Sequence, residues 1–265
     1  MARMSKPQHR ARKRFGQNFL QDGGVINRIV NSIHPRAEDH LVEIGPGQGA
    51  LTELLSASGC RLDVIELDRD LVPGLLAAFS VNPRFKLHSA DALKFDYGSL
   101  PEDAEPLRVV GNLPYNISTP LIFRLLENAS LIRDMHFMLQ LEVVDRLAAR
   151  PGNKHWGRLG IMAQYHCQVE HLFDVPPEAF YPPPKVHSAI VRLAPWKESP
   201  WQHCDEALLR RTVQAAFAQR RKTLRNNLKG TINDAELAAL GIDPGARAET
   251  LSLPQFIAIA NATAA

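Results

Sequence analysis

Cysteine is too scarce in this sequence to hold a fold together. Cys60, Cys167 and Cys204 are odd in number and form no Cys-x-x-Cys pair. That argues for free thiols in a reducing compartment and excludes a disulfide-stapled scaffold. Long hydrophobic runs are also missing: no stretch approaches the roughly 18 apolar residues of a membrane span, and the N-terminus has no apolar signal-peptide core. The chain is therefore expected in the cytoplasm, without a membrane partner. Its ten histidines follow no His-Glu-x-x-His or similar spacing. His166-Cys167 with His171, and His203-Cys204, read as ordinary partly buried residues, so no metal is expected. A bulk excess of charge is absent too, since 31 Lys and Arg against 28 Asp and Glu leave only +3. Where the cations sit matters more than their sum.

What is present is a globular composition. At 265 residues and 45% hydrophobic content, the chain can bury one large core and one small one. Residues 1–14 carry six Lys or Arg and no acid, which reads as a basic arm. Residues 15–195 then alternate strand-like apolar runs with helical periodicity. Strands are expected at His40 to Ile44, Arg61 to Ile65, Arg84 to His88, Leu107 to Val110 and Met135 to Leu141, with helices between them. That cadence implies an α/β fold with a doubly wound, mostly parallel sheet. Two further strands, Gln168 to Val175 and His187 to Leu193, have no helix between them, so an antiparallel edge is expected. Beyond Pro195 no strand is evident. Glu206 to Lys229 and Asp234 onward read as helices, making 196–265 a small all-helical domain.

Glycines follow the first strand of the sheet in Val42-Glu43-Ile44-Gly45-Pro46-Gly47-Gln48-Gly49-Ala50. A turn of this kind lets backbone approach a ligand closely and points helix N–H groups at it. Glu66 ends the next strand, where an acid can accept from ribose hydroxyls. Asp91 lies just past the third strand and can accept from the amino group of an adenine, though it equally suits a helix cap. Gly45, Gly47 and Ala50 also satisfy the Gly-x-Gly-x-x-Ala form of a nicotinamide site, so this turn leaves the cofactor open.

The fourth strand ends in Asn112-Leu113-Pro114-Tyr115. An aromatic amine is a poor nucleophile because its lone pair is delocalised into the ring. Two acceptors on its N–H groups would hold that lone pair toward an incoming methyl. The Asn112 side-chain oxygen and the Leu113 carbonyl are candidates, with Pro114 stiffening the turn. Tyr115 offers a face for a base taken out of its stack, and Phe180 an opposite wall. Asn-x-Pro also occurs in plain strand-to-helix turns, and its place downstream of Gly45, Glu66 and Asp91 favours the chemical reading.

With these residues assembled, the chain resembles the ribosomal RNA adenine dimethyltransferases, and within them the bacterial small-subunit branch. The resemblance runs nearly end to end. It rests on Phe15-Gly16-Gln17-Asn18-Phe19-Leu20, the Gly45 turn, and Gly111-Asn112-Leu113-Pro114-Tyr115-Asn116-Ile117-Ser118. It continues through Phe180-Tyr181-Pro182-Pro183-Pro184-Lys185-Val186 and Arg220-Arg221-Lys222-Thr223-Leu224-Arg225-Asn226-Asn227-Leu228. It implies S-adenosylmethionine as cofactor, held by Asn18, Leu20, Gly45, Gly47, Glu66, Asp91 and Asn112. It also implies successive methyl transfers to the N6 amines of two neighbouring adenosines in a 3′-terminal hairpin of small-subunit RNA, within an assembling particle. His187 stands where large-subunit relatives often carry an acid, which favours the small-subunit branch.

Residues 210–229 hold seven Lys or Arg and no acid. Such a run is often a solvated helix face. Beside a base-modifying site, Arg220, Arg221, Lys222 and Arg225 become candidates for RNA phosphate contact. A monomer is expected. The rival class is a non-enzymatic RNA-binding assembly factor, against which the intact Asn112-to-Tyr115 turn argues. A further rival would use the same turn on DNA adenine or a protein glutamine, but no separate DNA-reading domain is evident.

Overall fold

The computed structural model describes residues 18–100 and 106–263. The basic arm 1–14 and Phe15 to Gln17 lie outside the described residues. In chain order the elements are β1 (Phe19–Leu20), α1 (Gly23–Ile33), β2 (His40–Ile44), α2 (Ala50–Ala57), β3 (Arg61–Glu66), α3 (Val72–Phe79) and β4 (Phe85–Ser89). Then come β5 (Leu107–Asn112), α4 (Ser118–Leu126), β6 (Ile132–Gln140), α5 (Leu141–Ala148), α6 (Arg158–His166), β7 (Cys167–Val175), β8 (Phe180–Tyr181) and β9 (Ser188–Pro195). The chain ends in α7 (Glu206–Ala216), α8 (Leu224–Asn227), α9 (Asp234–Ala239) and α10 (Leu253–Ala262).

Seven strands form one sheet in the order β4-β3-β2-β5-β6-β9-β7. β2 pairs in parallel with β3 and β5, β3 with β4 and β5 with β6, whereas β9 runs antiparallel to β6. This is the doubly wound, mostly parallel sheet with an antiparallel edge that the sequence predicts. Buried on both faces, β2 and β5 read as apolar runs because nearly every residue is buried. The chain steps outward from β2 to β3 to β4, then returns to β5 on the other side of β2. That reversal opens a crevice beyond the carboxyl ends of β2 and β5.

The opposite edge of the sheet is fastened by charge. Arg108, buried at the start of β5, donates to Asp134 through Nε (2.9 Å), to Asp39 through Nη1 (2.7 Å) and to the Ile33 carbonyl through Nη2 (2.6 Å). Those bonds join the end of α1 to the starts of β5 and β6. Nearby, Asp63 accepts from His40 and His88 (2.7 and 2.6 Å). Burial opposes ionisation of Asp63, but the two imidazoles outweigh it and hold its carboxyl well below the usual range. Such networks fix the rigid side of the sheet and leave the crevice edge free for chemistry.

Contacts divide the chain into two compact units. Of the described residues, one holds those up to Leu141 together with Glu170–Pro195; the other holds Glu142–Val169 and those from Trp196 onward. One unit does end at Pro195, as expected, but Glu142–Val169 joins the second unit instead of the first: α6 packs on α7, and Gln164 of α6 donates to the carbonyls of Leu147 and Ala149 at the end of α5. Within the second unit Gly160 sits so close to the Arg146 carbonyl that no side chain would fit.

The expected helix from Glu206 to Lys229 is not continuous. α7 stops at Ala216, and residues 217–223 form turns before the short α8. The cause is tertiary. The Asn227 amide donates to the carbonyls of Ala216 and Gln219 (2.7 and 3.1 Å), closing the end of α7. Phe217 packs its ring on Phe256, 5.8 Å between centroids. The cluster Arg220-Arg221-Lys222 thus lies on a turn. All three cysteines are buried free thiols, and burial pushes the Cys167 thiol up to about 12.

Candidate active site

A cavity open to solvent sits at the crevice edge of the first unit. Its walls come from the segment around β1, the ends of β2, β3 and β5, the turns after them, and Ala90 to Ala92 beyond β4. Four chain reversals deliver these side chains to one place because parallel strands all end on the same edge.

The glycine turn is built for close approach. Gly45 takes φ +67° and its N–H donates to the Ile65 carbonyl (3.0 Å), so the turn begins by crossing toward β3. Gly111 is required for a different reason. A Cβ there would run into the Ile44 carbonyl, so only glycine lets the end of β5 lie against the end of β2. Glu66 is 6% exposed and reaches back across the turn. Its Oε2 accepts from the Gly47 N–H at 3.4 Å and its Oε1 from Asp68 at 2.7 Å. Burial raises its carboxyl against those two bonds, and the charge of Asp68 raises it further. Asp91 does cap a turn, accepting from the Leu93 N–H at 3.0 Å. It also lines the cavity, so its structural and ligand-facing readings coexist.

Asn112 ends β5, and its Nδ2 donates to the Asn18 carbonyl at 3.1 Å. A carbonyl only accepts, so this contact settles which end of the amide is the nitrogen. The Oδ1 is left without a partner among the described residues. Leu113 is buried, and its N–H donates to Met138 in β6 at 3.2 Å. No described donor reaches the Leu113 carbonyl. The turn thus presents two unclaimed acceptors. Tyr115 lines the same cavity. Its hydroxyl is pinned by Ser188 of β9 at 2.8 Å, and burial pushes the phenol up against the lowering effect of that bond. It stays neutral and offers a fixed ring, not a base.

The predicted cofactor residues Asn18, Leu20, Gly45, Gly47, Glu66, Asp91 and Asn112 all line this one cavity, together with Leu113 and Tyr115. Phe180 does not. It pairs with Leu20 across β1 and β8 and is 4% exposed within the apolar cluster that includes Ile29 and Ile33. The structure gives it a backing position behind Leu20 in place of the expected second wall, because the strand alternation that turns Tyr181 outward turns Phe180 in. Sequence reasoning missed Glu43, Phe19, Leu67 and Asp68 as lining residues. Glu43 was discoverable, since an acid inside the apolar run of a buried strand demands an explanation.

Among the described residues the lining contains four carboxyl residues, Glu43, Glu66, Asp68 and Asp91, and no Lys, Arg or His. The pyrophosphate of a nicotinamide dinucleotide would meet acids and no counter-charge. A cationic nucleoside fits, with carboxylates for its hydroxyls and amino groups. Among the described residues no group of His, Cys, Asp and Glu could hold a metal ion.

Fold and cavity together define a Rossmann-like methyltransferase. The chain belongs to the ribosomal RNA adenine dimethylase family, whose model matches residues 8–265. It is 64% identical over 254 residues to the ribosomal RNA small subunit methyltransferase A of Pseudomonas aeruginosa, covering 96% of this chain and 95% of that protein. The solved 23S rRNA methyltransferase ErmE is 26% identical, with a TM-score of 0.72 over 94% of this chain and all of that one. A dimethyladenosine transferase from Plasmodium falciparum shares the fold at 24% identity, with a TM-score of 0.78 over 91% and 95%. The chain is accordingly an S-adenosylmethionine-dependent enzyme of ribosomal RNA. Enzymatic function is supported over a purely RNA-binding role.

Proposed function

We propose that this enzyme dimethylates the N6 amines of two adjacent adenosines in a 3′-terminal hairpin loop of small-subunit RNA. Its substrate is an assembling small-subunit particle in the cytoplasm, and the chain acts as a monomer. The observation that carries the reading is the pair of unclaimed acceptors, Asn112 Oδ1 and the Leu113 carbonyl, at the lip of a cavity suited to a cationic nucleoside.

S-adenosylmethionine supplies an activated methyl group with a good leaving group. The chain's own task is then positioning, which supplies most of the barrier reduction in such transfers. Asn112 and Leu113 accept from the two N–H groups of the adenine amine and aim its lone pair. Tyr115, held by Ser188, supports the flipped base on its ring. Glu66 and Asp91 take the ribose and adenine of the cofactor, while Gly45 and Gly47 let backbone approach it. Asn18 serves twice, framing the cavity and steadying the Asn112 amide.

RNA phosphates are held by Arg220, Arg221, Lys222 and Arg225 in the second unit. Arg225 also pairs with Asp234 at 2.6 Å, and Arg220 donates to the Lys154 carbonyl at 2.8 Å. Arg221 and Lys222 are exposed. The test is incubation with labelled donor and undermethylated small subunits, isolation of the 3′-terminal RNA fragment, and its digestion to nucleosides. Label recovered as N6,N6-dimethyladenosine in the 3′-terminal hairpin supports the reading. Binding to the particle without transfer would return the assembly-factor alternative.

A further inference from the structure

Two cavity carboxyls, Glu43 and Asp68, have no part in the roles above, and Glu43 is the one set inside a strand of the sheet. It lies in the interior of β2, 1% exposed, and lines the cavity. Its Oε2 accepts from the Thr52 hydroxyl of α2 at 2.6 Å. Its Oε1 has no hydrogen-bond partner among the described residues. A buried, half-partnered carboxyl facing a ligand cavity is costly to ionise unless something cationic arrives there.

Each neighbouring element deepens that cost or is neutral to it. β3 presents Glu66, whose negative charge raises the Glu43 carboxyl. β5 places the apolar Val110 opposite Glu43 in register. Only the Thr52 hydroxyl of α2 favours the carboxylate. The remaining carboxyl residues of the cavity, Asp68 and Asp91, are acids as well, Tyr115 is a neutral phenol, and among the described residues no cationic side chain lines the space. Burial, with Glu66 assisting and Thr52 opposing, pushes the Glu43 carboxyl up to about 7.

We propose that Glu43 senses the charge of the cofactor: it keeps its proton while the cavity is empty or holds the neutral thioether product, and releases it to solvent when the cationic methyl donor binds. The proposal rests on the cofactor reading above and extends it to selectivity between donor and spent product. The two ligands differ by one methyl and one positive charge. A cavity of fixed size gains little from the methyl, but a carboxyl that ionises on demand reads the charge directly. On donor binding the carboxyl O–H gives its proton to the buffer; transfer of the methyl then removes the charge that held the carboxylate, which takes a proton back from the buffer. The reprotonated cavity gains nothing from the neutral product, whereas a fresh donor regains the charge attraction by displacing the proton.

The test is titration calorimetry of S-adenosylmethionine and, separately, S-adenosylhomocysteine in buffers of different ionisation enthalpy. Wild type and Glu43→Gln are compared from pH 6 to pH 8. The donor's own α-ammonium titrates near this range, but its contribution is common to both proteins, so the difference between them isolates Glu43. At pH 7 wild type should release roughly half a proton more than Glu43→Gln per donor bound, and no more per product bound. Between pH 6 and pH 8 the wild-type affinity ratio of donor to product should rise roughly tenfold relative to the variant. Thr52→Val removes the hydroxyl that favours the carboxylate, so it should move the release to higher pH, and it keeps the test open if Glu43→Gln folds poorly. Equal proton release by wild type and Glu43→Gln, or equal release for donor and product, would overturn the proposal while leaving the cofactor reading intact. No donor binding to wild type at all would overturn both.

Discussion

Replacing Asn112 by Ala removes two things whose sizes can be read separately. The first is the Nδ2 bond to the Asn18 carbonyl, 3.1 Å long and half-buried. A neutral bond of that kind contributes about 1 kcal/mol, so loosening Asn18 should weaken S-adenosylmethionine by about fivefold at most. The second is Oδ1, which the proposal has aligning the amine. An acceptor that matters chiefly in the transition state is worth about 2.7 kcal/mol or more, at least roughly a hundredfold in rate. The variant should therefore bind donor nearly as wild type does and transfer methyl far more slowly. Calorimetry gives the first number, and single-turnover transfer to undermethylated small subunits at saturating donor gives the second. Asn112→Asp sharpens the comparison, because it keeps an acceptor for the amine but sets a carboxylate against the Asn18 carbonyl. It should lose more donor affinity than the alanine variant. A single-turnover rate for Asn112→Ala within about threefold of wild type would refute the alignment role. A rate loss matched by an equal loss of donor affinity would show that Asn112 acts only by bracing Asn18.

Glu66→Ala deletes the carboxylate that caps the glycine turn and faces the cavity. Donor affinity measured by calorimetry should fall about ten- to a hundredfold, the worth of one charged-acceptor bond, and unchanged affinity would remove Glu66 from the site. Glu43→Gln should alter the pH dependence of stability in the ligand-free enzyme. The folded-state carboxyl lies at about 7 against an ordinary 4.5. Its proton-linked stabilisation is therefore complete below about pH 4.5 and is lost as pH rises through 7, by up to about 3 kcal/mol. The glutamine variant keeps an acceptor for Thr52 and escapes that loss, so its melting temperature should exceed wild type at pH 8 and converge with it near pH 5; a pH-independent difference would contradict the burial argument. Reversing charge at Arg220, Arg221 and Lys222 should weaken binding to undermethylated small subunits and flatten its salt dependence while leaving donor affinity unchanged. Wild-type particle affinity and salt slope in a normally folded variant would leave these residues as solvated surface, and a lowered melting temperature would instead trace to the Arg220 contacts with Lys154 and Glu249.

What the sequence disclosed and what it hid divide along a physical line. The strands β2, β3 and β5 were legible because both faces of a parallel sheet are covered, and their apolar runs carry that burial in one dimension. Gly45, Glu66, Asp91 and Asn112 were legible as a group because parallel strands all end on the same edge, so residues far apart in sequence need no further information to meet. The hidden features depend on partners that no local pattern names. The strands β1 and β8 are two residues each and too short for any period to show; only their pairing turns Phe180 inward and Tyr181 outward. The break after α7 contains neither Gly nor Pro and is set by Asn227, eleven residues beyond the Ala216 carbonyl that it caps. α5 and α6 look like a continuation of the sheet's alternation, yet their packing faces belong to the second unit. Glu43 sits between these cases. Its acid was visible in the sequence, but an acid in a strand ordinarily points at solvent, and nothing local says that this one faces a cavity lined with carboxyls and, among the described residues, no cation. That one-signed lining also separates the two cofactors left open by the glycine turn, because a pyrophosphate and a sulfonium ask for opposite charge. The motif positions the ligand, but the electrostatics that choose it come from four strands meeting at one edge.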